Sequence, residues 1–197
     1  MKKIVFIKNT KTDGVVRLGV HDSESEVTET LTVSYIQSPA LRTLCVGDEL
    51  SDYDFFEVSG SDAEYRARKY ALSSLALSDK NERTLKTKLL SRGFDREIAE
   101  RVCRQMVELG YIDEHRQLER LVLADAAKFY GPSKIIMHLS SRGYRTSDVR
   151  EVMRDLVERG EIDFAERART LIEKKYHGEL SHEEKKKILY SHGYNIC

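Results

Sequence analysis

Three glycines, Gly93, Gly143 and Gly193, stand 50 residues apart, each inside the same short phrase. The phrases are Leu89-Leu90-Ser91-Arg92-Gly93-Phe94, Leu139-Ser140-Ser141-Arg142-Gly143-Tyr144 and Leu189-Tyr190-Ser191-His192-Gly193-Tyr194. A second pair keeps the period, with Leu109-Gly110-Tyr111-Ile112-Asp113 returning as Arg159-Gly160-Glu161-Ile162-Asp163. Self-similarity at this period marks tandem units, each too small to bury its apolar face without a neighbour.

From Ala63 onward the apolar residues recur at helical spacing, and each repeat resolves into three helices. In repeat one, Asp79 and Glu82 have capping-box spacing before the second helix, with Leu85 and Leu89 one turn apart. In repeat two the same helix opens with Gly131-Pro132, where proline at the first position forfeits no hydrogen bond, and Ile135 and Leu139 replace the two leucines. Each phrase glycine then fits the left-handed residue that ends a helix, with Phe94, Tyr144 and Tyr194 set against Leu89, Leu139 and Leu189. Gly110 repeats the stop after helix three, with Tyr111 facing Met106; Glu161 leaves the Gly160 stop without an apolar partner.

Helix three runs from about Asp95 with Ile98, Val102, Met106 and Leu109 on one face, and its copy carries Val149, Val152, Leu156 and Val157. The first helices of repeats two and three begin near Asp113 and Asp163. They bury Leu118, Leu121 and Val122, and Ala168, Leu171 and Ile172.

Residues 1–60 have a different period. Ile4–Ile7, Val15–Val20 and Leu31–Ile36 read as strands, Pro39–Leu44 as a single helical turn, and Phe55-Phe56 as a further short apolar piece. Ser59-Gly60-Ser61-Asp62 reads as a linker, with Asp62 capping the helix that follows. The expected fold is α+β. A small β-rich module with three strands spans 1–60, followed by elongated all-α repeats over 63–112, 113–162 and 163–197, the last one truncated.

Lys plus Arg and Asp plus Glu both number 33, so the net charge is zero. The balance is uneven: residues 1–62 hold 6 bases against 11 acids, and residues 63–197 hold 27 against 22. The repeats are the basic half. Cys45, Cys103 and Cys197 are odd in number and form no CxxC, which points to no disulfide framework or zinc site; Cys103 reads as a small buried hydrophobe. The apolar N-terminal run is too short for a signal peptide and nothing approaches membrane-spanning length, so a cytoplasmic, membrane-free location is expected.

No catalytic constellation appears, and neither a small-molecule substrate nor a cofactor is expected. Gly131-Pro132-Ser133-Lys134 is too short for a phosphate-binding loop. His177 and His182, near Glu179, Glu183 and Glu184, are spaced wrongly for HExxH and read as solvated or capping residues.

The basic residues divide into two groups. Arg101, Arg104 and Arg159 follow Glu97, Glu100 and Asp155 by four residues and read as solvated helix pairs. The second helices carry an excess of base: Arg83, Lys86, Lys88 and Arg92 against Glu82 in repeat one, Lys134 and Arg142 against no acid in repeat two, and Lys185, Lys186 and Lys187, offset by Glu183 and Glu184, in repeat three. With the repeats superposed, these basic helices fall on equivalent positions and would form a stripe for a polyanion or an acidic protein surface. Arg92 and Arg142 have a second reading, as complements to the negative ends of their helices. Tyr130, beside Lys134, reads as packing at a helix end or as a platform for a base.

The repeat phrases resemble the RecX family, bacterial regulators of the RecA recombinase. The likeness also runs through Tyr130-Gly131-Pro132-Ser133-Lys134-Ile135, Ala165-Glu166-Arg167-Ala168 and Lys174-Lys175-Tyr176, and so covers most of 63–197. Asp113-Glu114-His115-Arg116-Gln117-Leu118 departs from the family pattern in lacking an aromatic after the acidic-basic pair. The resemblance implies a non-enzymatic modulator that binds the RecA–DNA filament and restrains ATP hydrolysis, strand exchange and coprotease activity. The contacts it would use are Lys86, Lys88, Arg92, Lys134, Arg142, Lys185 and Lys186. A helix-turn-helix-like module reading single- or double-stranded DNA, and a helical protein-interaction scaffold, remain as alternatives.

Overall fold

A computed structural model describes residues 1–36, 38–175 and 180–195; His177, Glu179 and Cys197 lie outside these. The chain packs as two compact units, one made of 1–78 with 86–106 and the other of 79–85 with 107–197.

In the first unit, β1 (Lys2–Asn9), β2 (Val15–Asp22) and β3 (Val27–Ser34) form an antiparallel meander, and the short β4 (Glu49–Leu50) pairs with the start of β1. The sheet order is β3-β2-β1-β4, one strand more than the sequence predicts. Two residues are too few to leave an alternating pattern. Pro39–Thr43 forms the expected helical turn. Ile4, Val16, Leu18, Val20, Leu31 and Val33 bury one face of the sheet together with Leu41, Leu50 and Val58.

Val58 belongs to α1 (Asp52–Leu77), and here the expectation fails. Residues 59–62 are not a linker and Asp62 is not a cap. The helix starts eleven residues earlier, at a capping box in which the Ser51 hydroxyl and the Asp54 carboxylate each accept the other's backbone N–H. Asp62 instead accepts the Thr32 N–H of β3 at 2.8 Å, tying the helix to the sheet. Phe55, read only as part of a short apolar piece, packs on the sheet core from this helix, while Phe56 is exposed.

The remaining helices follow the predicted triplets: α2 (Glu82–Ser91), α3 (Arg96–Glu108), α4 (Glu114–Ala127), α5 (Pro132–Ser141), α6 (Thr146–Glu158), α7 (Phe164–Lys175) and α8 (His182–Ser191). Asp113 caps α4 by accepting the Arg116 N–H, and Asp163 accepts the Ala165 and Glu166 N–H groups at the start of α7. The α2 cap is Asn81, which accepts the Thr84 N–H; Asp79, predicted for that role, pairs with Arg120 instead. In the second unit Leu118, Val122, Ile135 and Leu139 meet Val149, Val152, Met153 and Leu156 of α6. Leu109 and Val157, assigned to buried faces, are exposed, while Ala99, Cys103 and Met153 are buried. Leu121, Ala168 and Ile172 are only half-buried.

All three phrase glycines are left-handed, with φ of 84° at Gly93, 95° at Gly143 and 83° at Gly193. In each, the aromatic's N–H donates to the leucine carbonyl five residues back, Phe94 to Leu89, Tyr144 to Leu139 and Tyr194 to Leu189. The glycine N–H donates three residues back, completing the paired bonds of a Schellman stop. After α3 the buried apolar residue is Ile112, one position past the exposed Tyr111, and after α6, where no apolar partner was expected, the equivalent Ile162 is buried.

The stops also join repeats. The Gly131 N–H donates to the His192 carbonyl at 2.7 Å and the Ser133 N–H to the Gly193 carbonyl at 3.1 Å. The orphan carbonyls ending α8 thereby satisfy orphan N–H groups opening α5, and opposite helix dipole ends meet. The backbones come so close that a Cβ on Gly131 would lie 2.5 Å from the Gly193 carbonyl carbon. One period earlier, at Asn81, a side-chain amide makes the link, donating to the Arg142 carbonyl at 3.0 Å.

The two buried stop tyrosines differ in one bond. The Tyr144 hydroxyl donates to Gln117 Oε1 at 3.1 Å, whereas the buried Tyr194 hydroxyl has no partner among the described residues. Burial pushes the pKa of both phenols up. Tyr144→Phe should therefore cost about 1 kcal/mol in urea unfolding, and Tyr194→Phe should cost nothing or stabilise slightly.

Candidate partner-binding surface

The second helices α2, α5 and α8 carry Lys86, Lys88, Lys134, Lys185 and Lys186, and Arg92 and Arg142 follow directly after α2 and α5. Leu85, Leu89, Ile135 and Leu139 are fully buried, which turns the intervening positions outward. Lys88, Arg92, Arg142, Lys185 and Lys186 are exposed; Lys86 and Lys134 are half-buried.

The superposition of basic positions needs correction. At the 50-residue period, Lys86 corresponds to Ile136 and Lys186, Lys88 to His138 and Ile188, and Lys134 to Thr84 and Glu184. Lys86 and Lys186 coincide as cations, and so do Arg92 and Arg142. Lys185 takes the register of the buried Leu85 and Ile135, and it is exposed.

Nor are all these cations unpaired. Lys86 Nζ lies 2.6 Å from Glu100 Oε1, and Arg96 Nε lies 2.9 Å from the same oxygen. These two hydrogen bonds, Lys86 first, pull the Glu100 pKa down to about 2. The lowered value means that the pairing is complete above the ordinary carboxylate range and is lost as pH falls towards 2. In a carboxyl carbon-13 titration, Lys86→Gln should move the Glu100 midpoint upward; an unchanged midpoint would assign the shift to Arg96 alone.

Arg92 lies over the Tyr70 ring, 4.7 Å from its centre, and Lys134 lies 4.3 Å from the centre of Tyr130. Lys88, Arg142, Lys185 and Lys186 form no ion pair with another described residue.

The three pairs predicted at four-residue spacing take other partners. Arg101 meets Glu64 of α1 at 2.9 Å, Glu100 is held as above, and Arg159 meets Glu119 and Glu161 at 2.5 and 3.2 Å.

Sequence reading passed over the surroundings of Tyr130. Lys128 lies 5.9 Å from its ring centre, and the His138 ring meets it edge-on at 6.3 Å. Asp125, buried to 2 % exposure, lies 2.5 Å from His138 Nδ1 and 3.1 Å from Lys128 Nζ. The four-residue interval from Tyr130 to Lys134 carried the only available signal. The loop between α4 and α5, with Phe129 at a φ of 61°, brings the rest together.

Among the described residues no group of three or more His, Cys, Asp or Glu could hold a metal ion, and no helix is long and apolar enough to cross a membrane. The arrangement is that of a helical-repeat protein with exposed cations.

Comparison with known proteins narrows that class. The chain is 30% identical over 118 residues to the regulatory protein RecX of Pseudomonas putida, covering 60% of this chain and 80% of that protein. It is 32% identical over 151 residues to RecX of Clostridium tetani, covering 76% and 68%. No protein-family model matches. A crystal structure of a regulatory protein RecX superposes with a TM-score of 0.74 over 99% of this chain and 95% of that one, at 19% identity. RecX from Lactobacillus salivarius gives 0.56 over 68% and 90%, at 17%. At those identities the structures establish the fold, β module included, and the sequence relatives establish the family. This chain belongs to the RecX family of regulatory proteins.

Proposed function

We propose that the chain is a non-enzymatic regulator in the cytoplasm that binds the RecA–DNA filament and restrains recombinase ATP hydrolysis, strand exchange and coprotease activity. Family membership carries this reading, with 80% of the Pseudomonas putida regulator covered. The exposed cations Lys88, Arg142, Lys185 and Lys186 supply contact chemistry suited to DNA phosphate or an acidic recombinase face. Lys86, occupied by Glu100, is demoted to a supporting role. Titrating the protein into recombinase-catalysed strand exchange and ATP hydrolysis tests the proposal. Inhibition near stoichiometry is expected, and full activity at a large excess would overturn it.

A direct DNA contact has one observation in its favour, the cation-flanked Tyr130 ring, which offers a stacking face beside Lys134 and Lys128. Binding to DNA without recombinase, weakening steeply with salt, would identify this mode.

A further inference from the structure

The β module separates its charges. Residues 1–62 hold 11 acids against 6 bases, yet the sheet face turned away from the core carries bases alone. Side chains alternate between the two faces of a strand, and Ile4 with Val20 and Ile7 with Leu18 fill the core side. The register therefore sets Lys3 opposite His21, Phe6 opposite Gly19 and Lys8 opposite Arg17 on the outer side, with Thr28, Thr30 and Thr32 alongside on β3. Asp22 and Glu29 fall in the phase of Val20, so no carboxylate belongs to the outer rows. Lys3, Lys8 and Arg17 are exposed and form no ion pair with another described residue. Phe6 sits where a side chain at position 19 would be: a Cβ on Gly19 would lie 2.2 Å from Phe6 Cε1. A glycine inside a strand commonly marks such a close approach. The Lys8 ammonium stands over the Phe6 ring, 5.0 Å from its centre.

We propose that this face is a second DNA contact, made by the β module and not by the cations of α2, α5 and α8, and that it takes a single strand. One base stacks on Phe6, the Lys8 ammonium leaves the ring for a phosphate, and Lys3 and Arg17 hold neighbouring phosphates. The threonine hydroxyls of β3 offer hydrogen bonds to base edges or sugars. Stacking requires an unpaired base and tolerates any base identity, because every base has a π-face. An aromatic among cations on an open sheet fits a nucleic-acid strand better than an acidic protein, whose carboxylates would find charge there but gain nothing from the ring. The choice of DNA over RNA rests on the recombinase reading; the site itself does not.

The test is an NMR titration of the full chain with an oligothymidylate of about 20 nucleotides, at low salt and without recombinase. Saturable shift changes are expected at Lys3, Phe6, Lys8, Arg17 and Gly19. The dissociation constant is read from Gly19 and Thr30, so that binding elsewhere on the chain does not mask it. Lys8→Glu with Arg17→Glu should weaken it about tenfold or more, and both side chains are exposed, so the fold is kept. Phe6→Leu, which keeps apolar volume over Gly19, should weaken it about fivefold or more through lost stacking. Shift changes confined to the repeats, an unchanged constant in both variants, or an equal response of Gly19 to a duplex of the same length would each overturn the proposal. Equal binding of oligoglutamate at these residues would overturn it by assigning the face to an acidic protein. Tighter binding of oligouridylate would overturn the choice of DNA. Recombinase inhibition enters none of these readouts, so their failure is distinguishable from failure of the proposed function.

Discussion

Gly193→Ala is expected to unseat the last two helices. The residue has a φ of 83°, which alone costs an alanine about 1 kcal/mol. Its new methyl would also be driven into the start of α5, 2.5 Å from Lys134 Cβ and against the Lys134 backbone nitrogen. Overpacking against main chain that cannot swing aside adds about 2 kcal/mol, for a total of about 3. The loss should be local, read as faster hydrogen exchange of α7 and α8 amides. Gly160→Ala is the reference, because Gly160 has a φ of 73° but open space where the methyl would go, so only the first cost applies. Equal effects at the two positions would show that the α5–α8 joint is slack.

The second large effect is on function. Lys88→Glu combined with Arg142→Glu should weaken recombinase inhibition by about 10- to 100-fold at low salt, with the difference shrinking as salt rises. Both side chains are exposed, so stability should move by no more than about 0.5 kcal/mol. Reversing Lys86 would be a poorer test, since it strands Glu100 beside a new carboxylate and confounds contact with folding. Wild-type potency in the double variant would remove α2 and α5 from the contact surface.

The features that the sequence made legible are those written in local chemistry. A left-handed glycine followed by an aromatic, Asp113 and Asp163 before their helices, and a proline after Gly131 act within a few residues and appear where expected, whereas Asp62 and Asp79 do not cap. The start of α1 was hidden because Ser51-Asp52 through Ser61-Asp62 is rich in loop-forming residues. Gly60 costs an exposed helix about 1 kcal/mol, and packing of Val58 on the sheet together with the Asp62–Thr32 bond overrides it. Ion-pair partners were hidden for a similar reason. Arg101 and Arg159 sit four residues from an acid, but Glu64 and Glu119 reach them from other helices, and chain spacing carries no record of that. The contact surface was half legible: composition located the cations on the second helices, while their occupation by Glu100, Tyr70 and Tyr130 required three dimensions.

The α5–α8 joint is main chain against main chain, and that affects how such an array can grow. A duplicated stretch covering 113–162 would carry a socket, the opening of α5 at Gly131, and a plug, the Arg142-Gly143 stop. Both halves travel in one segment. A single duplication event could therefore lengthen the array without evolving new side-chain complementarity at the seam. Drift within the helices would be tolerated, but an insertion that broke the 50-residue spacing would not.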